Sequence, residues 1–193
     1  MKKPVVIKIG GAILDGYNQG NSSALSALLK VIASLENQPV VIVHGGGCVV
    51  DEMLAQAGFV TEKKHGLRVT PKVHMPIISG VLAGSVNKAI VASAASLNLS
   101  AVGLLLTDGE MVQCKLSPLQ LGQVGEPSPY SSALLDTLLK ANFLPIISSI
   151  GALRNGELVN VNADDAAVAI CQLLNAEVAR LPFGNRQSKS LIC

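Results

Sequence analysis

The sequence has no tryptophan, and all its aromatic residues together make up 3% of its 193 residues. Charged residues are also scarce, at 15% against about 25% in an average soluble domain. The hydrophobic fraction of 49% excludes a disordered chain, which would lack the apolar side chains for a core. A core without aromatics must be built from Val, Ile, Leu and Ala, a mixture typical of buried parallel strands covered by helices. The length fits one large domain, or one domain with part of a second.

The excess of positive charge is confined to the end of the chain. The formal net charge is +2, and the last fourteen residues, RLPFGNRQSKSLIC, hold three basic residues and no acidic one. Without this segment the net charge is −1. Nucleic-acid binding requires a basic surface, and single strands also require aromatic side chains for stacking. The sequence predicts neither, so we expect no nucleic-acid partner.

The cysteines are widely separated and predict neither a zinc site nor a redox pair. They are Cys48, Cys114, Cys171 and Cys193, with no C-x-x-C spacing among them. Such scattered cysteines are typical of a reducing compartment, and no metal site is predicted. The apolar run near the N-terminus is interrupted by Lys8, which makes it too short for a signal peptide. No run reaches the roughly 18 apolar residues of a membrane span, so we expect a soluble, cytoplasmic protein without a membrane partner.

Short apolar runs alternate with segments of helical periodicity along most of the chain. The runs predict strands over 5–9, 39–44, 101–107 and 144–150, and the periodic segments predict helices over 22–36, 48–58, 73–83, 85–98, 131–142 and 164–174. Residues 110–130 fit a β-hairpin or a long loop, and a further hairpin is predicted around residues 65–66. Alternating strands and helices indicate an α/β fold with a largely parallel central sheet.

Glycine clusters follow two of the predicted strands, as KIGG at residues 8–11 and HGGG at residues 44–47. Open α/β sheets bind ligands at the carboxyl ends of their strands, where both clusters would lie. In the second cluster the glycines open a helix, whose free N–H groups bind anions. The lysine of the first cluster can neutralise an anion, although a solvated lysine before an ordinary turn fits the same residues. Neither cluster matches the G-x-G-x-x-G fingerprint or a P-loop.

Three other stretches contain polar residues where a strand or loop ends. In HGLRVTP, Arg68 is either a carboxylate clamp or a solvated loop arginine. In LVNVNADDAA, Asn160, Asn162 and Asp164 occupy alternate positions that lead into a helix. They form either a functional site or the solvent-exposed face of a strand. In LLLTDGE, Asp108-Gly109 predicts a simple turn.

Six stretches occur in an order and spacing that resemble the amino acid kinase family, and within it the acetylglutamate kinases. They are KIGG, VIVHGGGCVVDEM, KKHGLRVTP, GSVNKAIV, LPIISSIG and LVNVNADDAA, and the match runs from about residue 4 to about residue 178. The resemblance implies an αβα sandwich that uses ATP with Mg²⁺ to phosphorylate the γ-carboxylate of N-acetyl-L-glutamate in arginine biosynthesis. It also implies a homo-oligomer, most simply a dimer.

The resemblance implies two catalytic residues and a phosphate-binding set. Lys8 would neutralise charge on the transferring phosphoryl group, and Asp164 would orient the catalytic lysines. The backbone of Gly10, Gly11 and Gly46 would bind the phosphate, with N–H groups of the last two holding it from either side. These roles suit phosphoryl transfer, which depends on positioning and charge stabilisation.

The resemblance also implies a substrate site. Gly46 and Gly47 would line the pocket for the acyl amino acid, Arg68 would bind its α-carboxylate, and Asn160 would contact its other polar end. Two other hypotheses remain open at this point. One is a non-catalytic module that binds N-acetyl-L-glutamate or a kinase subunit, and the other is a different amino acid kinase, such as carbamate kinase.

The sequence departs from the family pattern near its end. We expect a kinase-like region over 1–178 and a divergent tail over 179–193, because Arg180, Pro182 and Gly184 do not suit the buried strand that the family has there. The family's second catalytic lysine and most of its ATP-binding lobe would then have no counterpart. We expect either a frameshifted or otherwise truncated kinase, with activity lost or severely reduced, or a genuine short paralogue. The strand at 144–150 and the helix after Asp164 would lose their neighbours.

Overall fold

The computed structural model describes residues 2–10, 14, 23–64 and 66–176. The expectations for Gly11, for the residue at position 65 and for the tail from 177 onwards lie outside these ranges. The strands are β1 (Val5–Ile9), β2 (Val40–His44), β3 (Lys63–Lys64), β4 (Leu67–Arg68), β5 (Ala101–Leu105), β6 (Val112–Leu116), β7 (Val124–Pro129), β8 (Leu144–Ser148), β9 (Ile150–Ala152) and β10 (Leu158–Val161). The helices are α1 (Ser23–Ser34), α2 (Gly47–Gln56), α3 (Lys72–Ala95), α4 (Ala133–Lys140) and α5 (Ala163–Leu174).

Within the described ranges, four parallel strands form the central sheet in the order β1-β2-β8-β5. This confirms the predicted parallel α/β arrangement. The strand predicted over 144–150 ends at Ser148, and Ile150 begins β9 in a second sheet. The expectation that this strand loses its neighbours was wrong, because β8 is paired on both sides, with β2 and with β5.

The central sheet is covered on both faces, which makes the fold a three-layer αβα sandwich. Side chains alternate between the faces, so that Val41 and Val43 point to one layer and Ile42 to the other. Helices α1, α2 and α3 cover the face that contains Ile42, while α4, α5 and the second sheet cover the opposite face. The β-branched runs therefore form the buried parallel strands that the composition predicts.

Helix α3 is one continuous element where the sequence predicted two. It opens with a 3₁₀ turn and contains a π-helical stretch at Gly80–Val86. By length and composition alone, α3 could cross a membrane. No membrane span was predicted from the sequence. Its inner face packs in the core through Met75, Ile78, Val81, Leu82, Val86, Ile90 and Ala94, and a buried core helix of a soluble protein has the same composition.

A second, mixed sheet has the strand order β6-β7-β10-β9. Strands β6 and β7 pair antiparallel, which confirms the hairpin alternative for residues 110–130. The short strands β3 and β4 also pair antiparallel, as predicted.

The predicted turn at Asp108-Gly109 is present. Asp108 Oδ2 accepts a hydrogen bond from the Leu105 N–H at 2.9 Å, and Gly109 has a φ of 57°. Strand β10 leads directly into α5 at the carboxyl edge of the central sheet.

Candidate active site

A cleft of about 280 Å³ opens at the carboxyl ends of the central strands. All the described site candidates from the sequence line it, namely Lys8, Gly10, Gly46, Gly47, Arg68, Asn160 and Asp164. The residues come from β1 and its end, the β2–α2 turn with the start of α2, β4, β10 and the first turn of α5. The fold therefore brings together residues that are as far apart in the sequence as Lys8 and Asp164, as expected for a parallel sheet.

Lys8 and Asp164 form an ion pair at one side of the cleft. Lys8 Nζ lies 2.9 Å from Asp164 Oδ1, and the lysine side chain is largely buried. Asp164 is held in the first turn of α5 because Asn162 caps this helix, with Asn162 Oδ1 accepting a hydrogen bond from the Asp164 N–H at 2.7 Å. A Cβ at Gly10 would lie 3.5 Å from Lys8 Nζ, so the glycine keeps the space beside the ammonium group open.

The glycine turn between β2 and α2 packs closely against its surroundings. A Cβ at Gly46 would lie 2.9 Å from Leu82 Cδ2, and a Cβ at Gly45 would lie 3.2 Å from Ala163 Cβ. The backbone of the turn thus lies between α3 and the start of α5 without room for side chains. Helix α2 begins at Gly47, so the N–H groups of its first turn lack partners within the helix and are available at the cleft.

Arg68, on β4, is held by a network of contacts with the start of α2. Its side chain is 9% exposed, and Nη1 is paired with Asp51 Oδ1 while Nη2 donates to the Gly47 carbonyl at 3.0 Å. Lys63 Nζ lies 3.1 Å from the second oxygen of Asp51. Partial burial acts to raise the pKa of Asp51, but the hydrogen bonds from Arg68 and Lys63 outweigh it and lower this pKa below its ordinary value. Asp51 was not identified from the sequence.

Asn160 lies on β10, where its Nδ2 donates to Thr70 Oγ1 at 3.2 Å. Thr70 is itself fixed by backbone hydrogen bonds, from its N–H to the Leu121 carbonyl at 2.7 Å and from the Gln123 N–H to its carbonyl at 2.7 Å. The amide therefore belongs to a rigid junction between the second sheet and the segment after Arg68. Asn160 also lines the cleft, and its role there stays a prediction.

His44, the last residue of β2, is completely buried directly before the glycine turn. Its Nδ1 lies 2.9 Å from the Gly45 carbonyl oxygen, and its Nε2 lies 3.0 Å from Nδ2 of Asn87 on α3. Burial lowers the pKa of His44 from 6.5 to about 4, against the opposing effect of the Gly45 hydrogen bond. The side chain is therefore neutral at physiological pH. No role for His44 or Asn87 was predicted from the sequence.

The described residues contain no group of three or more His, Cys, Asp or Glu side chains that could hold a metal ion. Among them, the cleft is lined by three cationic side chains, Lys8, Lys63 and Arg68, and by the carboxylate of Asp164. This excess of positive charge, together with the glycine N–H groups, is suited to an anionic ligand.

The chain is similar to several known proteins. The model of the amino acid kinase family matches residues 3–181. The acetylglutamate kinase of Colwellia psychrerythraea is 70% identical over 93% of this chain and 67% of its own length, and that of Aeromonas hydrophila is 44% identical over 93% and 69%. The chain thus spans about two thirds of the length of these relatives.

Solved structures with the same fold include smu.665 from Streptococcus mutans, with a TM-score of 0.76, 29% identity and coverage of 89% of this chain and 68% of that one. The N-acetylglutamate synthase of Neisseria gonorrhoeae, solved with coenzyme A and N-acetyl-glutamate, has a TM-score of 0.70 at 21% identity over 89% of this chain and 39% of that one, and so resembles it in fold alone. The chain belongs to the amino acid kinase family.

Proposed function

We propose that this chain carries the acceptor site of an acetylglutamate kinase, which transfers the γ-phosphoryl group of ATP to the γ-carboxylate of N-acetyl-L-glutamate. The observation that carries the proposal is that Lys8, Arg68 and Asn160 line one cleft with the glycine turn. Identity of 44% to 70% with curated acetylglutamate kinases supports the same activity. It favours this reaction over that of carbamate kinase and over a non-catalytic module.

The substrate would lie across the cleft between its two charged sides. Arg68 would bind the α-carboxylate in a charge-assisted hydrogen bond, and its contacts with Asp51 and the Gly47 carbonyl hold the guanidinium ready. Asn160 would contact the polar end of the acyl amide. The γ-carboxylate would then extend towards Lys8 and the glycine N–H groups.

In the reaction, a γ-carboxylate oxygen would attack the γ-phosphorus of ATP, and the bond from that phosphorus to the bridging oxygen of ADP would break. The products are an acyl phosphate and ADP, with no net proton transfer required of the protein. Lys8 would neutralise charge on the transferring group, and Asp164 would keep its ammonium in place at 2.9 Å. Catalysis by positioning and charge stabilisation is what phosphoryl transfer requires.

ATP and Mg²⁺ are the co-substrate and metal that we propose with this activity. The described residues offer anion-binding groups for a phosphate at Lys8, Gly10 and Gly46 but no cluster of acidic ligands for a metal. Mg²⁺ is commonly held in kinases through the substrate phosphates and one or two carboxylates, and among the described residues Asp164 is the carboxylate that lines the cleft. When bound, Mg²⁺ would neutralise phosphate charge.

We further propose a cytoplasmic location and a homodimer for this protein, in keeping with the biosynthetic role. Light scattering after size-exclusion chromatography measures the assembly directly. A mass of two chains is expected, and a monomer at all concentrations would contradict the dimer.

The proposed substrate site is tested by the substitution Arg68→Ala. We expect it to weaken binding of N-acetyl-L-glutamate by about 1.5–3 kcal/mol, the range for a hydrogen bond to a charged group. Isothermal titration calorimetry measures the change. Arg154→Ala is the matched control, because Arg154 is exposed and lies outside the cleft. Unchanged affinity of the Arg68→Ala variant would contradict the assignment.

A further inference from the structure

The hydrogen bonds around His44 select one tautomer of its ring. The Asn87 amide nitrogen lies 2.8 Å from the carbonyl oxygen of Ile146, which can only accept, so this atom is the donating nitrogen and the amide orientation is settled. The same nitrogen lies 3.0 Å from His44 Nε2. Because an amide nitrogen only donates, Nε2 must accept, and the proton of the neutral ring lies on Nδ1. The Nδ1–H then donates to the Gly45 carbonyl oxygen at 2.9 Å.

This last hydrogen bond fixes the orientation of the peptide group between Gly45 and Gly46. The described residues contain no cis peptide bond. In a planar trans peptide, the carbonyl of one residue and the N–H of the next point in opposite directions. A Gly45 carbonyl that is held towards the buried His44 ring therefore directs the Gly46 N–H away from the ring.

Asn87 also fixes the helix that supports the glycine turn. It directly follows the π-helical stretch Gly80–Val86, whose Leu82 and Val86 lie against Gly46. A π-helical stretch shifts the side chains that follow it around the helix axis, and such stretches are frequent near functional sites. The apolar contacts of Leu82 and Val86 and the polar contact of Asn87 thus converge on the same turn.

We propose that His44 and Asn87 are positioning residues: Asn87 holds His44 in the Nδ1–H tautomer, and His44 holds the Gly45–Gly46 peptide so that the Gly46 N–H faces the anionic end of the substrate. The proposal rests on the proposed function, in which this N–H contacts the reacting group. Neither side chain reaches the cleft, because neither is among its lining residues. Their effect on binding is transmitted through the backbone.

The tautomer can be measured without any ligand. In ¹⁵N-histidine-labelled protein, ring nitrogen shifts and couplings distinguish Nδ1–H from Nε2–H, and the His44 signals are assigned from their loss in His44→Asn. We expect a neutral Nδ1–H ring at pH 7. An Nε2–H ring or a charged ring would overturn the proposal, whatever ligand the cleft binds.

The effect on the site is measured with two substitutions. His44→Leu removes the hydrogen-bond donor to the Gly45 carbonyl. His44→Asn keeps a donor, because the amide Nδ2 can occupy the position of the ring Nδ1–H. We expect His44→Leu to weaken N-acetyl-L-glutamate binding about tenfold, equivalent to about 1.4 kcal/mol, and to abolish the ligand-induced shift of the Gly46 amide signal. His44→Asn should stay within about threefold of the wild type.

The outcomes separate the two proposals. If the wild type binds N-acetyl-L-glutamate and both variants bind it equally well with the same Gly46 shift, the positioning role is wrong and the function stands. If the wild type does not bind this ligand, the proposed function fails, and the tautomer measurement decides the orientation of the peptide. If His44→Leu does not fold, a His44→Asn variant that binds more than about tenfold more weakly than the wild type would overturn the proposal.

Discussion

At the scale of single residues, the sequence indicated those candidate site residues that stand out from their neighbours. Lys8 in an apolar run and the glycines at strand ends are visible in this way, and the structure places them in one cleft. Asp51 and Asn87 could not be identified, because an acidic or amide residue in a helix is common and its partner is set by the fold. Asn87 meets His44 across 43 positions of the sequence.

The buried His44 makes the stability of the protein depend on pH. Its pKa falls from 6.5 to about 4 on folding, so between these values the unfolded chain binds a proton that the folded chain does not. The free energy of unfolding therefore increases with pH across this window and decreases on acidification. The contribution approaches about 1.4 kcal/mol per pH unit.

Urea unfolding at a series of pH values from about 4.5 to about 7 measures this dependence. The comparison of wild type with His44→Asn isolates the histidine, since all other titrating groups are common to both. We expect a clearly shallower slope in the variant, and equal slopes would show that His44 does not carry the effect.

At the scale of secondary structure, the alternation of strands and helices was predictable, while several boundaries were not. Because Gly84 is a poor helix former, the sequence predicted two helices that are separated there. In the structure, α3 continues past Gly84 through its π-helical stretch. The apolar pattern of LPIISSIG runs on past Ser148, but the chain leaves the central sheet there and enters the second one. Periodicity does not show which of two sheets a strand joins.

The cap of α5 is the element on which the position of Asp164 depends. We expect Asn162→Ala to lower the free energy of unfolding by about 0.5–2 kcal/mol, because the N–H groups at the start of the helix lose their acceptor. Asn162→Ser, which retains a capping oxygen, should lose much less. Urea unfolding of the two variants decides this, and equal stabilities would contradict a capping role for the side chain.

At the scale of the whole molecule, the composition predicted a β-branched parallel sheet between helical layers, and this is the observed core. The second sheet was predicted only as a local hairpin, since its pairing of β7 with β10 joins distant segments. The chain matches 67% and 69% of the length of two acetylglutamate kinases. The division at residue 178 stays a prediction, because the residues from 177 onwards lie outside those that the structure describes.

The charge of the cleft predicts its ligand preference. Lys8, Lys63 and Arg68 line it together with the apolar side chains of Ile78 and Leu82. N-acetyl-L-glutamate carries two carboxylates and no ammonium group, so it complements this lining. Because the carboxylate of Asp164 is already paired with Lys8, the ammonium of free glutamate would lie among cations or against apolar surface, and both are unfavourable.

The central claim, that this cleft binds an acylated acidic amino acid, is tested most directly by comparing N-acetyl-L-glutamate with L-glutamate in isothermal titration calorimetry on the same protein sample. The account predicts that N-acetyl-L-glutamate binds about tenfold or more tightly, a difference of at least about 1.4 kcal/mol. Equal affinity for the two ligands, or tighter binding of L-glutamate, would contradict it.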